Sequence, residues 1–215
     1  GLGDVYKRQD LKAGQIWCVI NGSARAVLSG ERTALNFAQL LASTATATRT
    51  LVRHLHGTNA QLLDTRKTVP GLRLAQKYAV QCGGGSNHRL GLYDGILIKE
   101  NHIRSAGSIA AALTAAQTHV GTVDLIEVEV ETLDELSQAL DAGARRIMLD
   151  NFSVSDMRTA VEHNQGRAKL EASGNVNAQT IREIALTGVD FISCGEITKN
   201  VSAVDLSLLF DQPET

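Results

Sequence analysis

Residues 126–151, IEVEVETLDELSQALDAGARRIMLDN, hold one full period of the pattern that decides the fold. Apolar and acidic residues alternate over 126–130. Thr132 and Glu135 then form a capping-box pair, in which a hydroxyl and a carboxylate satisfy the free N–H groups at a helix start. Leu133, Leu136 and Leu140 share one helical face, and Gly143 follows as a stop. A second apolar run, Ile147-Met148-Leu149, ends in Asp150-Asn151. A strand, a helix and a second strand joined this closely form a unit of parallel sheet.

The same unit recurs on both sides. Leu62-Leu63 leads to Asp64-Thr65-Arg66-Lys67, and Ile96-Leu97-Ile98 to Lys99-Glu100-Asn101. Lys169-Leu170-Glu171-Ala172 leads to Ser173-Gly174-Asn175, and Phe191-Ile192-Ser193 to Cys194-Gly195-Glu196. Strand endings at Thr65, Lys99, Glu129, Asp150, Glu171 and Cys194 are 21 to 34 residues apart. Six such units are too few for a closed eight-unit barrel, so the expected fold is an open, incomplete parallel α/β barrel. In such folds the carboxyl ends of the strands carry the active site. Here those ends are basic (66–67, 99), acidic (129, 150) and small or Gly-containing (173–175, 194–195). A Mg²⁺-dependent enzyme acting on a phosphorylated, carboxylated substrate requires that set.

Further helices are expected from Glu31 to about His56, at about 71–82 behind Pro70, and between Asn177 and Gly188. Residues 1–9 match nothing that follows and read as a scar of cloning or sequence assembly. Asn21-Gly22 between the β-prone runs 15–20 and 23–28 is the strongest short hairpin signal. Residues 10–30 are therefore expected to be the last part of a small β-containing domain, with the barrel over 31–215.

Composition narrows the function. The chain has 215 residues, 43% of them hydrophobic, and a net charge of −2. No apolar run approaches the ~20 residues of a membrane span. Cys18, Cys82 and Cys194 are far apart and read as buried thiols in a reducing cytoplasm, not as a disulfide frame or zinc site. Charge is segregated. Residues 49–104 hold nine Lys/Arg against three acids, whereas residues 121–165 hold ten Asp/Glu against three Arg. Charge scattered over helix faces is the plain alternative. Nucleic-acid binding is disfavoured, because the basic half lacks a dense Lys/Arg run with interleaved aromatics, and the chain has only eight aromatic residues.

Each candidate has a function and a plainer counterpart. Arg66 and Lys67 pair a fork-shaped carboxylate binder with a point charge suited to phosphate, or are a surface pair. Gly83-Gly84-Gly85 is a flexible loop that could cradle phosphate, though no P-loop pattern completes, and it leads to His88 and Arg89. Lys99, after an apolar run, is expected to bury its stem and present its ammonium at the barrel mouth. Glu127, Glu129 and Glu131 share one strand face, and if that face is inward a cation must accompany them. Asp150 is a natural Mg²⁺ ligand. Ser173-Gly174-Asn175 is expected to precede a helix and so to offer backbone N–H groups to phosphate at its positive end, with a simple turn nearly as good a reading.

These segments together resemble a known family. Glu31-Arg32-Thr33-Ala34-Leu35-Asn36, Asp64-Thr65-Arg66-Lys67-Thr68-Val69-Pro70-Gly71-Leu72, the run 82–92 (CGGGSNHRLGL), Leu97-Ile98-Lys99-Glu100-Asn101-His102, Met148-Leu149-Asp150-Asn151-Phe152 and Ser173-Gly174-Asn175 are similar, in order and spacing, to quinolinate phosphoribosyltransferases. The resemblance spans about Ala13 to Phe210. It implies an N-terminal α+β sandwich before an open barrel, and homodimers or larger homo-oligomers. The implied reaction joins quinolinate and phosphoribosyl pyrophosphate with Mg²⁺ to give nicotinate mononucleotide, pyrophosphate and CO₂ in cytoplasmic NAD biosynthesis. Carried over by residue, Arg66, His88, Arg89 and Lys99 would bind the quinolinate carboxylates, with Arg32 reaching in from the neighbouring subunit. Lys67 would contact the phosphoribosyl substrate, and Glu129 and Asp150 its ribose and Mg²⁺. Ser173, Gly174, Asn175 and Gly195 would cradle the 5′-phosphate, with Lys199 nearby. Lys99, Glu129 and Asp150 are the implied catalytic set. The chain departs from the family at Ser43-Thr44 and at Glu196. A paralogous phosphoribosyltransferase of the molybdenum-operon type, acting on another acid, and an inactive barrel serving as a binding module are the alternatives.

Overall fold

The structure is a computed structural model and describes residues 10–119 and 125–210. The 1–9 segment lies outside the described residues. The chain order is α1 (Ala24–His54), β1 (Gln61–Leu63), α2 (Arg73–Gly83), β2 (Ile96–Ile98), α3 (Glu100–Ala106), α4 (Ile109–His119), β3 (Ile126–Val130), α5 (Leu133–Asp141), β4 (Arg146–Asp150), α6 (Val154–Asn164), β5 (Lys169–Ser173), α7 (Ile181–Ala185), β6 (Phe191–Ser193) and α8 (Glu196–Lys199). The strands form one parallel sheet in the order β1-β6-β5-β4-β3-β2. Among the described residues no ladder joins β1 to β2, so the barrel is open, as the unit count implied.

The hairpin expected at 15–28 is not present. Ser23 caps α1, accepting a bond from Ala26 N, and residues 24–28 are helical. A tight Asn-Gly hairpin turn needs positive φ at both residues. Neither Asn21 nor Gly22 has it. Helix α1 therefore starts seven residues before the expected Glu31. The Thr/Ala stretch at 44–48 is helical, and Thr44 and Thr48 satisfy their hydroxyls on carbonyls one turn back. Ser43 and Thr44, where the chain departs from its resemblance, are both buried. Ser43 Oγ bonds Ser202 O and accepts from Val204 N, tying the C-terminal segment to α1. Cys18 is exposed, contrary to expectation, whereas Cys194 is buried.

Alternation sorts the strand residues. Val128, Val130, Ile147, Leu149, Leu170, Ala172 and Ile192 pack outward against Leu136, Ala139, Met157, Ala160, Ile181 and Ile184 of the helices. Each Val, Leu, Ile or Met buried this way contributes roughly 1.5–3 kcal/mol, and each Ala less. The other face of the strands carries polar groups inward. The expected capping role of Thr132 is met, since it accepts from Glu135 N, while Glu135 reaches back to the N–H of Glu131.

The opening is occupied by the segment 84–95. Ser86 bridges to Leu63 on the free side of β1. The Gly83–Gly85 run serves packing: a Cβ on Gly83 would stand 2.5 Å from Ala45 O, and one on Gly85 2.9 Å from Thr48 Cγ2. A buried ion pair holds the same segment. Asp64 accepts from Lys77 Nζ and, at 2.9 Å, from His88 N, while Lys77 also donates to His88 O at 2.9 Å. Both side chains are essentially inaccessible. Burial pushes Asp64 up and Lys77 down, and their mutual bond opposes both shifts. Lys77→Met should therefore cost about 3–5 kcal/mol in urea unfolding, since it leaves a buried carboxylate without its cation. Adding Asp64→Asn should recover part of that loss. A cost below about 1 kcal/mol would show the pair to be dispensable.

Candidate active site

The carboxyl ends of the strands bring most of the sequence-derived residues to one rim. Arg66 and Lys67 follow β1, Lys99 follows β2, Glu129 lies in β3 and Asp150 ends β4. Ser173 ends β5, and Gly195 lies between β6 and α8. Lys99 bonds Glu129 Oε2, a cation–carboxylate contact across adjacent strands. Its side chain is 48% exposed, at the mouth of the barrel. Asp150 Oδ2 accepts from Asn151 Nδ2 at 2.9 Å. Arg66 is half-buried, and its Nε has no hydrogen-bond partner. Beside it, Arg89 is anchored by NH1 to Gly95 O at 2.9 Å. Burial, then the neighbouring charge of Arg66, lowers the Arg89 pKa, so the two cations lie near enough to repel and both are partly shielded from water. An anion placed there would relieve both costs.

The Ser173–Asn175 turn does not sit at a helix start. Gly174 (φ +99°) and Asn175 (φ 52°) are left-handed, Thr180 Oγ1 bonds Asn175 O, and α7 begins only at Ile181. A Cβ on Gly174 would stand 2.2 Å from Asn151 Oδ1, so only glycine fits this close approach between the ends of β4 and β5. Gly195 packs against Thr65 and Lys67, joining the ends of β1 and β6. Glu196 and Lys199 are exposed on α8. Arg32 is exposed on α1.

Below the rim lies a cluster that the sequence reading did not assemble. Glu127, Glu171 and His88 are buried. Arg146 Nε bonds Glu127 Oε1 at 3.0 Å, and its NH2 bonds Glu171 Oε2 at 2.5 Å. Its guanidinium also lies 4.2 Å over the Phe191 ring. His88 Nε2 is 2.7 Å from Glu127 Oε2 and 3.6 Å from Glu171 Oε1, and that last oxygen has no partner. The cation that inward carboxylates require is thus Arg146. Alternation down β4, with Arg146, Met148 and Asp150 on one face, was the sequence signal for it. Glu131 lies beyond β3 and is exposed. Burial alone would raise Glu127, but its bond from His88 and the charge of Arg146 hold it below the usual carboxylate range. Burial and the charge of Glu127 push Glu171 up to about 7. A cavity of about 420 Å³ lined by Arg145, Arg167, Lys169 and Asp190 lies at the opposite, amino-terminal strand ends, away from these groups.

Fold and rim together define an open α/β-barrel protein suited to a multiply anionic small molecule, with cations and carboxylates on facing strand ends. Residues 44–209 match the family described as quinolinate phosphoribosyl transferase, C-terminal domain, and the chain belongs to that family. It is 44% identical over 198 residues to a Bacillus subtilis protein named probable nicotinate-nucleotide pyrophosphorylase [carboxylating], covering 92% of this chain and 68% of the relative. A Nicotiana glauca relative, quinolinate phosphoribosyltransferase [decarboxylating] 1, is 41% identical, with 89% of this chain and 59% of the relative covered. The solved nicotinate-nucleotide pyrophosphorylase of Francisella tularensis superposes with a TM-score of 0.83 at 56% identity, over 86% of this chain and 65% of that one. The chain thus spans about two thirds or less of the length of these relatives.

The cluster predicts a pH effect on stability. Glu171 binds its proton more tightly folded (about 7) than at its ordinary value of 4.5, so its contribution is complete below about pH 4.5. It is lost as pH rises through about 7, a difference of at most about 3 kcal/mol. Glu127 moves oppositely: its contribution is present at neutral pH and is lost only in acid. Urea unfolding should therefore show lower stability at about pH 8.5 than at about pH 5.5, and Glu171→Gln should flatten most of that slope. An equally steep slope in the variant would place the titration elsewhere.

Proposed function

We propose that this chain carries the catalytic barrel of a quinolinate phosphoribosyltransferase, a pentosyltransferase of NAD biosynthesis. Phosphoribosyl pyrophosphate would give up its pyrophosphate to form a bond between its anomeric carbon and the quinolinate ring nitrogen. The 2-carboxylate would then leave as CO₂, giving nicotinate mononucleotide. The observation that carries this reading is the Arg66–Arg89 pair, with one guanidinium nitrogen buried and unpartnered at the rim. A dicarboxylate fits it. The names of the relatives supply the identity of that dicarboxylate.

In this reading Arg66, Arg89 and Lys99, with His88 beneath them, receive the two carboxylates. Two fork-shaped cations and an ammonium pair with both charges of the substrate. Lys67 contacts the phosphoribosyl group. Ser173, Gly174, Asn175 and Gly195 take the 5′-phosphate in a concavity kept open by glycine, with Lys199 at its edge. Glu129 and Asp150 face the ribose as positive charge develops on it, where carboxylates stabilise the transition state. They also suit Mg²⁺. Each spends one oxygen within the chain, on Lys99 and Asn151, and Mg²⁺ takes one or two carboxylates plus substrate oxygens and water. When bound, the ion would neutralise charge on the departing pyrophosphate. Arg32, exposed on α1, would complete the site of a second copy in a homodimer or a larger assembly. The resemblance, and not any structural feature, is what suggests a cytoplasmic reaction; separately, no helix of the described residues is long and apolar enough to cross a membrane.

Incubation with quinolinate, phosphoribosyl pyrophosphate and Mg²⁺ should yield nicotinate mononucleotide. Nicotinate should be used on the order of 10³-fold less well or worse, because a missing carboxylate leaves desolvated cations unpaired. Lys99→Ala should lose on the order of a hundredfold in turnover, and the exposed Lys12→Ala almost none. Comparable use of both acids would overturn the substrate assignment.

A mixing experiment tests the twofold arrangement. Arg32→Ala and Lys99→Ala should each be nearly inactive in a protein of the relatives' full length. After random subunit exchange between equal amounts, activity should return to about a quarter of the unmutated value, since heterodimers hold one intact site. No recovery despite confirmed exchange would place Arg32 outside the partner's site.

A further inference from the structure

Two cations one turn apart on α2 bridge the same two segments of chain. Lys77 bonds the Asp64 carboxylate and donates to His88 O at 2.9 Å. Arg73 does the same two residues further along each segment. Its NH2 donates to Arg66 O at 3.3 Å, and its NH1 to Leu90 O at 3.2 Å. Its Nε donates to Thr68 Oγ1 at 3.2 Å. One planar guanidinium thus joins the carbonyl of Arg66 to the carbonyl of the residue next to Arg89.

Nothing in α2 itself calls for a cation at this place. Arg73 is the first residue of the helix, where the positive end of the helix dipole disfavours added positive charge, and no acidic residue stands in that turn. Its three bonds all go to neutral oxygens. A guanidinium fork fixes several acceptors in one plane, so three neutral acceptors spread over two segments define a clamp rather than a charge pair. Each segment is also held within itself. Asp94 accepts from the N–H groups of Leu90 and Gly91 at 2.7 and 2.8 Å, and Arg66 O accepts from Thr68 N at 3.0 Å. Lys67 is tied separately, its carbonyl accepting from Thr198 Oγ1 at 2.8 Å. What Arg73 adds is the spacing between the segment that carries Arg66 and the segment that carries Arg89.

We infer that Arg73 is a positioning residue that determines specificity: by fixing Arg66 relative to Arg89, it sets the carboxylate spacing that the rim accepts. The clamp stands on the structure alone, and its consequence for carboxylates rests on the function proposed above. A site whose cations are held apart at one distance rejects a dianion of different spacing, because one ion pair then goes unmade among desolvated groups. Loosening the clamp lets the two arginines adapt to either spacing. Preference between dianions falls, while the phosphoribosyl side, anchored through Lys67 and Thr198, stays as it was.

Amide hydrogen exchange of the 215-residue chain tests the clamp. Arg73→Gln should speed exchange about tenfold at Thr68, Leu90 and Gly91, the size of one lost charge-assisted bond. The His88 N–H, held by Asp64, should change little. Arg73→Lys keeps the charge and the stem but not the fork, and it should show the same local change, which covers the case in which Arg73→Gln does not fold. Unchanged exchange in both segments would overturn the inference. In a preparation that converts quinolinate, benzene-1,2-dicarboxylate and benzene-1,3-dicarboxylate serve as competing ligands with adjacent and more widely spaced carboxylates. Both variants should lower the preference for the adjacent pair about tenfold, with the KM for phosphoribosyl pyrophosphate nearly constant. A merely stabilising residue would leave that preference unmoved, so an unchanged ratio in both variants would overturn the specificity role. If the unmutated protein does not convert quinolinate, the proposed substrate falls and the specificity role with it, while the exchange measurement still decides the clamp.

Discussion

Arg146 between Glu127 and Glu171 is the interaction on which the interior of the barrel depends. Two carboxylates on alternate strands point into a space that excludes water, where an uncompensated charge costs several kcal/mol. One guanidinium on the intervening strand bonds both. Its planar fork suits two acceptors at once, which a lysine ammonium would not reproduce. The parallel register makes this possible by setting Met148 level with Glu129 and Glu171, so that Arg146 enters from the strand between them.

The open side of the barrel follows the same logic. Where β1 and β2 leave a gap, exposed strand edges and buried polar groups would both be costly. The segment 84–95 resolves this by pairing Ser86 with Leu63 and lowering His88 onto Glu127. Asp64 and Lys77 hold that segment from the other side. One loop thus closes the core beneath and presents Arg89 above. The glycines before it permit close packing of α1, α2 and β1, a tighter constraint than loop flexibility.

The rim has a different electrostatic character. Its cations are only partly paired: Lys99 with Glu129 across adjacent strands, Arg66 with one nitrogen left dry. Interior charges are bonded mainly to one another, with Glu171 Oε1 left over, whereas the unpartnered nitrogen at the rim belongs to a cation and suits an incoming anion. Incomplete satisfaction of otherwise well-positioned groups distinguishes a binding surface from a structural network.

The alternation of apolar runs with capped helices determined the parallel open barrel, because period-2 and period-3.6 patterns are local and survive without knowledge of contacts. The polar endings at 66–67, 99, 129 and 150 were likewise legible, since topology places every strand's carboxyl end on one rim. Asn21-Gly22 misled, because hairpin formation needs a partner strand and positive φ, and the backbone instead continued into a helix capped by Ser23. The delay of α7 to Ile181 depended on the Thr180 and Asn177 turn bonds. The inward partners His88, Glu127, Arg146 and Glu171 come from three strands and a loop, separated by up to 83 positions in the sequence (171 − 88). No local pattern encodes which of many charged residues meet. Only the register of the sheet and the path of the 84–95 segment, set by the whole fold, decide that Arg146 bonds two buried carboxyl groups and that His88 turns inward to meet them.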